Sequence, residues 1–144
     1  MRITDILRSK GNEVVTVSPE TDVRALLAML AEHHIGAVVV SSDGTTVEGI
    51  VSERDIVRAI AARGVTVVSE PVIAICTTEV HTVPPDTQTD ELMRMMTDKR
   101  IRHVPVVADG TLRGIISIGD VVKYRIDELE GERSALTNYI STGG

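Results

Sequence analysis

The fold is decided by a heptapeptide that occurs twice, as GIVSERD at residues 49–55 and as GIISIGD at residues 114–120. The chain also repeats itself upstream of each copy, because residues 16–46 align without a gap on residues 82–112 with 12 identities in 31 positions. Self-similarity at a fixed offset is typical of a structural unit that is duplicated within one chain. The sequence therefore predicts two copies of one supersecondary unit.

Each copy predicts the same order of elements: strand, helix, strand, strand, helix. A residue before proline favours an extended opening segment, and an apolar periodicity of helical type follows it. Next come an apolar run with strand composition, an Asp-Gly turn, a second strand, and a helix that starts at Ser52 or Ser117. One unit of about 50 residues buries too little surface by itself. We therefore expect an α/β (α+β) fold in which two tandem β-α-β-β-α repeats pack about a pseudo-two-fold axis.

The repeat also sets the expected domain boundaries. Residues 1–64 would hold the first repeat with an N-terminal segment, and residues 65–125 a linker with the second repeat. Residues 126–144 carry apolar side chains among charges, which favours a C-terminal helix or tail that docks or mediates association.

Composition narrows the class of function. The chain has 144 residues, a formal charge of −6, two Tyr and neither Trp nor Phe, which opposes nucleic-acid binding by charge and by base stacking. No segment approaches the roughly 18 apolar residues of a membrane span, and the N-terminus lacks the apolar stretch of a signal peptide. The single cysteine, Cys76, cannot form an internal disulfide. We expect a cytoplasmic protein without nucleic-acid or membrane partners.

Catalytic chemistry has no sequence support. Cys76 lies in no nucleophile motif, and the four histidines lack a familiar metal-ligand spacing. We therefore predict no catalytic residue, no metal site and no enzyme activity.

The Ser-x-x-Asp part of each heptapeptide, Ser52 to Asp55 and Ser117 to Asp120, allows two interpretations. It is close to a capping box, in which the two side chains satisfy N–H groups at the start of a helix. The same pair also suits the binding of a nucleoside phosphate. The Asp carboxylate can accept hydrogen bonds from ribose hydroxyls, while the Ser hydroxyl and the N–H groups at the helix N-terminus can donate to phosphate oxygens. Two copies at the ends of matching strands favour the second interpretation.

Two Gly-h-h-Ser-x-x-Asp signatures, where h is apolar, each behind an Ile-x-x-Val-x-Val strand, resemble the CBS-domain family over about residues 3–125. The resemblance implies a stand-alone tandem pair, or Bateman module, with two clefts between the repeats. It implies a regulatory ligand, AMP, ADP, ATP, NAD or S-adenosylmethionine, with AMP expected first and no required cofactor. It further implies that Asp55 and Asp120 hold ribose, with Ser52 and Ser117 nearby.

The two halves differ in charge. Arg54 has no cationic counterpart in the second repeat, and Arg102 and His103 stand where the first repeat has Gly36 and Ala37. The resemblance implies that Arg102 and His103 contact phosphate and that Arg54 contributes from the facing repeat. Solvated surface remains the alternative for the two arginines, and ordinary packing the alternative for His103.

The resemblance also places the stretch with Val104 and Pro105 against the adenine, and Ile118 at the second signature. The small residues of the first repeat would leave its cleft roomier but less basic. We therefore expect the main site in the cleft that contains Asp120.

These observations predict a regulatory ligand sensor that acts through a conformational or oligomeric change, because a ligand that bridges the repeats would favour one arrangement of them. We expect a homodimer whose output passes through an effector protein or through its own oligomer. The alternative is a ligand-free structural or dimerisation module that regulates a partner protein.

Overall fold

The computed structural model describes residues 2–11 and 14–143, with side chains through residue 141. Its helices and strands follow the predicted order, apart from the opening strand of the second repeat. The helices are α1 (Ile3–Lys10), α2 (Val23–His33), α3 (Glu53–Arg63), α4 (Thr89–Lys99) and α5 (Ile118–Gly143). The strands are β1 (Thr16–Val17), β2 (Ala37–Val40), β3 (Gly49–Ser52), β4 (His103–Ala108) and β5 (Thr111–Ser117). Two short 3₁₀ helices, Val65–Ser69 and Val72–Ala74, lie in the linker.

The first repeat is built on a three-stranded sheet in the order β1-β2-β3. β1 pairs parallel with β2, and β2 pairs antiparallel with β3. Every residue of β2 is buried, as expected for a central strand covered by helices. Leu26 of α2 and Ile56 of α3 close the core over Val38 and Val51.

In the second repeat the predicted opening strand is reduced to one parallel bridge, Val83 to Val106, beside the two-stranded sheet of β4 and β5. The first repeat has two such bridges, Thr16 to Val39 and Val17 to Val40. The position equivalent to Val39 is Pro105, which has no N–H to donate to a neighbouring strand. The proline therefore removes the second bridge.

Helix α1 packs on the second repeat, although it precedes the first in sequence. Ile3 and Ile6 are buried in the same core cluster as Leu92 and Ile116. The Ile3 N–H donates to the Thr87 carbonyl at 2.9 Å. The N-terminal segment thus completes the hydrophobic core of the half from which it is more distant in sequence.

Helix α5 joins two segments that the sequence suggests are separate, the last helix of the second repeat and the C-terminal helix or tail. Its first two turns pack on the second repeat through Val121, which is buried, and Tyr124. From residue 129 to residue 141 every side chain is exposed. No proline interrupts residues 118–143, so the helix continues after its contacts with the core end.

Candidate functional site

Both heptapeptides form complete capping boxes at a strand-to-helix junction. At the start of α3 the Ser52 N–H donates to Asp55 Oδ2 at 2.9 Å, and the Asp55 N–H donates to Ser52 Oγ at 3.4 Å. At the start of α5 the Ser117 N–H donates to Asp120 Oδ2 at 2.8 Å, and the Asp120 N–H donates to Ser117 Oγ at 3.1 Å. The structural interpretation of Ser-x-x-Asp therefore holds in both repeats, and any ligand role depends on what surrounds each pair.

A cavity of about 430 Å³ lies between the repeats at the N-terminus of α3. Its volume is within the range of roughly 300–1,000 Å³ that is usual for small-molecule sites. The first repeat and the linker contribute Gly36, Ile50, Ser52, Glu53, Arg54, Asp55, Arg58, Thr77, Glu79, Val80 and His81. The second repeat contributes Arg100, Ile101, Arg102 and His103.

Four arginines line this cavity, Arg54 and Arg58 from α3 and Arg100 and Arg102 from the second repeat. The Arg54 guanidinium reaches across the cleft, with Nη1 3.4 Å from the carbonyl oxygen of Arg100. The N-terminus of α3 adds the positive end of its helix dipole. Planar guanidinium groups next to a helix N-terminus are well suited to bind phosphate oxygens.

The two signature carboxylates have equivalent neighbours of different charge. In the first repeat Thr77 donates its N–H to the Ile50 carbonyl at 2.8 Å and its hydroxyl to Asp55 Oδ1 at 3.4 Å. In the second repeat the Lys10 ammonium makes both contacts, at 2.7 Å to the Ile115 carbonyl and 2.7 Å to Asp120 Oδ2. Asp120 is thus held in an ion pair, whereas Asp55 has a long contact with a neutral hydroxyl.

Two pKa shifts follow from this arrangement. Burial opposes ionisation of Asp120, but the hydrogen bonds from Lys10 and the Ser117 N–H outweigh it and hold the pKa of that carboxyl below its usual value. Burial lowers the pKa of His103, and the nearby Asp120 carboxylate only partly opposes this. At neutral pH His103 is therefore an uncharged imidazole that can both donate and accept a hydrogen bond.

The cavity brings together six of the side chains and backbone positions predicted for the site: Gly36, Ser52, Arg54, Asp55, Arg102 and His103. The other six lie elsewhere. Ala37, Val104 and Pro105 are buried in the two sheets, so they do not line this cavity, and Ser117, Ile118 and Asp120 belong to the N-terminus of α5.

The structure differs from the expectation in where the basic residues of the second repeat lie. Arg100 and Arg102 of the second repeat line the Asp55 cavity, because the packing of the repeats brings the segment before β4 to the N-terminus of α3. Gly36 does not widen the cleft either. A Cβ at that position would lie 3.4 Å from His103 Cε1, so the imidazole occupies the space.

Six further polar residues line the cavity without having been predicted for the site: Glu53, Arg58, Thr77, Glu79, His81 and Arg100. Arg58 follows Arg54 by four positions on α3, and this spacing places both on one helix face, which is a usable signal. Arg100 ends α4 in a left-handed conformation, with φ of 55°. Thr77 reaches the site only through the path of the linker, which nothing local in the sequence predicts.

The residues that the structure describes form neither a metal site nor a membrane-spanning helix. No group of three or more His, Cys, Asp or Glu side chains among them is arranged to hold a metal ion. No helix among the same residues is both long enough and apolar enough to cross a membrane.

The fold and the cleft define a pair of similar α/β repeats that enclose a ligand-sized cavity between them. The CBS domain family matches the chain twice, at residues 3–62 and 69–127. The chain belongs to the CBS domain family and is a tandem pair of such domains.

Known relatives share most of this chain. A mitochondrial CBS domain-containing protein of Arabidopsis thaliana is 36% identical over 149 residues, which cover 98% of this chain and 72% of the relative. The crystal structure of a CBS-domain containing protein from Agrobacterium tumefaciens has 45% identity and a TM-score of 0.83, with coverage of 87% of this chain and 99% of that one. A CBS domain protein from Pyrobaculum aerophilum complexed with AMP has 29% identity and a TM-score of 0.74, with coverage of 83% and 89%.

Proposed function

We propose that the chain is a regulatory module that binds an adenine nucleotide in the cavity at the N-terminus of α3. One observation carries the proposal: the cavity combines the Asp55 carboxylate, the start of a helix and arginines from both repeats. AMP is the ligand we place first, ahead of ADP, ATP, NAD and S-adenosylmethionine. Support for AMP comes from the Pyrobaculum aerophilum relative, which was solved with AMP bound.

The side chains of the cavity suggest separate roles. Asp55 keeps Oδ2 on the Ser52 N–H and directs Oδ1 only at the Thr77 hydroxyl, so Oδ1 is the atom we assign to ribose hydroxyls. Arg54 and Arg102 come from opposite repeats, and a phosphate held by both would join the two halves. Neutral His103 would add a hydrogen bond without another charge.

A ligand that joins the repeats supplies the regulatory mechanism. It would stabilise the arrangement of the repeats that brings Arg54 and Arg102 together, and so shift the population toward that state. We propose a homodimer that passes this change to an effector protein and carries no catalytic activity itself. We also propose a cytoplasmic location, which the lone cysteine, Cys76, supports.

A second candidate function is a ligand-free structural or dimerisation module that regulates a partner protein. The observation in its favour is that both Ser-x-x-Asp pairs are complete capping boxes without a ligand. The serine and aspartate of the signature would then serve helix initiation alone.

The two candidates are separated by titration calorimetry with AMP, ADP, ATP, NAD and S-adenosylmethionine. Asp55→Ala is the test variant and Asp120→Ala its matched control, because each removes the acidic half of one capping box. Asp55→Ala should cost about 1 kcal/mol of folding stability through the cap, and Asp120→Ala should cost more, because it also removes the ion-pair partner of Lys10. Only Asp55→Ala also removes a carboxylate that lines the cavity.

If the chain is a nucleotide-binding module, the wild type and Asp120→Ala should both bind nucleotide. Asp55→Ala should bind it with at least tenfold lower affinity. A second pair of variants tests the contact with phosphate. Arg102→Ala should weaken AMP binding, whereas Arg94→Ala, at an exposed position outside the cavity, should not. If no ligand binds the wild type at millimolar concentration, the structural module is the correct description.

A further inference from the structure

Helix α5 carries a long apolar stripe that lies outside the hydrophobic core formed by the described residues. The stripe consists of Val122, Ile126, Leu129, Leu136 and Ile140, which are between 47% and 66% exposed. None of them belongs to either core cluster of the described residues. Isolated exposed apolar residues are common, but five on one face of a helix mark an interaction surface.

The spacing of the stripe identifies the kind of surface. Together with Arg133 its positions are separated by 4, 3, 4, 3 and 4 residues. This is the a/d heptad pattern of a two-stranded coiled coil, which keeps apolar side chains along one seam. At about 1.5 Å per residue the stripe is about 27 Å long, or about five helical turns. A partner of matching geometry is therefore another long helix.

We propose that the partner is α5 of a second copy of this chain, running antiparallel. When two such helices run antiparallel with residue 131 of each at the same level, every a or d position faces an a or d position of the second copy. Val122 faces Ile140 of the second copy, Ile126 faces Leu136, and Leu129 faces Arg133. Because a two-fold axis repeats each contact, the three kinds of layer give six layers in all.

Arg133 selects the antiparallel direction. In a parallel pair it would lie opposite Arg133 of the second copy, and two buried like charges oppose association. In the antiparallel pair it lies opposite Leu129, where Glu130 and Glu132 of the second copy flank the seam and can accept hydrogen bonds from the guanidinium.

Other groups on α5 are consistent with this direction. A parallel pair would gain most from Arg125 and Glu130 across the seam, but Arg125 already forms an ion pair with Glu128 on its own helix. The contacts of α5 with α1 and α4 use the face that carries Val121 and Tyr124, not the stripe. An antiparallel pair places the two sets of CBS repeats at opposite ends of the helix pair.

The oligomeric state tests the surface. Sedimentation equilibrium of the wild type should give a dimer at micromolar concentration, and Leu136→Glu should shift it to monomer, with at least a hundredfold weaker association. Ala135→Glu is the matched control, because it adds the same charge at the neighbouring exposed position outside the stripe. Both variants should keep the circular dichroism spectrum of the folded wild type, because neither position belongs to a core cluster. A monomeric wild type, or a dimer that survives Leu136→Glu, would overturn the proposal.

Disulfide trapping tests the direction. In a Cys76→Ser background, Ile126→Cys and Leu136→Cys are purified separately with tags of different mass, mixed and oxidised. The antiparallel pair brings these two positions together and should give the mixed disulfide as the main product. Products that are only 126-to-126 and 136-to-136 would show a parallel pair and refute the proposed direction.

Discussion

Replacing Lys10 with methionine tests whether a charge holds α1 at the second signature. The ammonium lies 2.7 Å from Asp120 Oδ2 and 2.7 Å from the carbonyl oxygen of Ile115. The side chains of Lys10 and Asp120 are 35% and 23% exposed, so solvent screens the pair only in part. Methionine keeps most of the aliphatic stem and removes the charge and both hydrogen bonds.

The structure sets the expected magnitude. A partly exposed ion pair contributes up to about 1 kcal/mol, and the hydrogen bond to Ile115 about 1 kcal/mol more before screening. We expect Lys10→Met to lower the free energy of unfolding at pH 7 by about 1–2 kcal/mol. The pKa of Asp120 is lower in the folded protein than its usual value of 3.8. The contribution of the ion pair to the free energy of unfolding is therefore complete at pH values above 3.8. It is lost as the pH falls through the lower pKa that Asp120 has in the folded protein.

Urea denaturation of the wild type and Lys10→Met at pH 7, 5 and 3 measures both effects. The difference in free energy of unfolding between the two proteins should be the same at pH 7 and pH 5, and smaller at pH 3. Lys99→Met is the control, because Lys99 is exposed at the end of α4 and has no ion pair among the described residues. Equal stability of wild type and Lys10→Met at pH 7 would show that the ammonium does not hold α1, and a difference that grows toward pH 3 would refute the linkage to Asp120.

Further predictions concern packing and the second cleft. Gly49→Ala should destabilise by about 1–3 kcal/mol in urea denaturation, because the new Cβ would lie 3.0 Å from the backbone oxygen of Thr77. Gly114→Ala should cost less, because the displaced atom is a Leu7 methyl, and the reverse order would contradict this account. Leu92→Ala, at a fully buried position, should cost about 2–5 kcal/mol, and a smaller loss would mean that the core collapses into the space. If Lys10 blocks the second cleft, calorimetry of Lys10→Met should show AMP stoichiometry rising from one to two per chain, and an unchanged value would contradict the block.

The sequence predicted the fold because its signals are local or repeated. The offset between residues 16–46 and 82–112 revealed the duplication, and the Asp-Gly turns and Ser-x-x-Asp starts marked the element ends. Pro105 shows the limit of treating the copies as identical. Without its N–H the second repeat keeps a single bridge where the first has two, so one substitution shortened a predicted strand.

The candidate site was predicted only in part, because its halves come from distant segments. Asp55 and Arg54 share a helix start, and the heptapeptide pointed to both. The preference for the Asp120 cleft came from assigning Arg102 to the signature nearest in sequence. The structure instead lines the Asp55 cavity with Arg102 and Arg100, a relation that depends on how the repeats pack.

The sequence by itself determined the duplicated unit, the capped helix starts and the residue types available for a nucleotide, since each depends on neighbours a few positions apart. The tertiary structure decided which groups surround each signature carboxylate. It brought Lys10 to Asp120 across 110 positions while leaving Thr77 beside Asp55. An ammonium pairs with one carboxylate and a hydroxyl contacts the other, and only the packing of α1 and the linker determines which carboxylate receives which group.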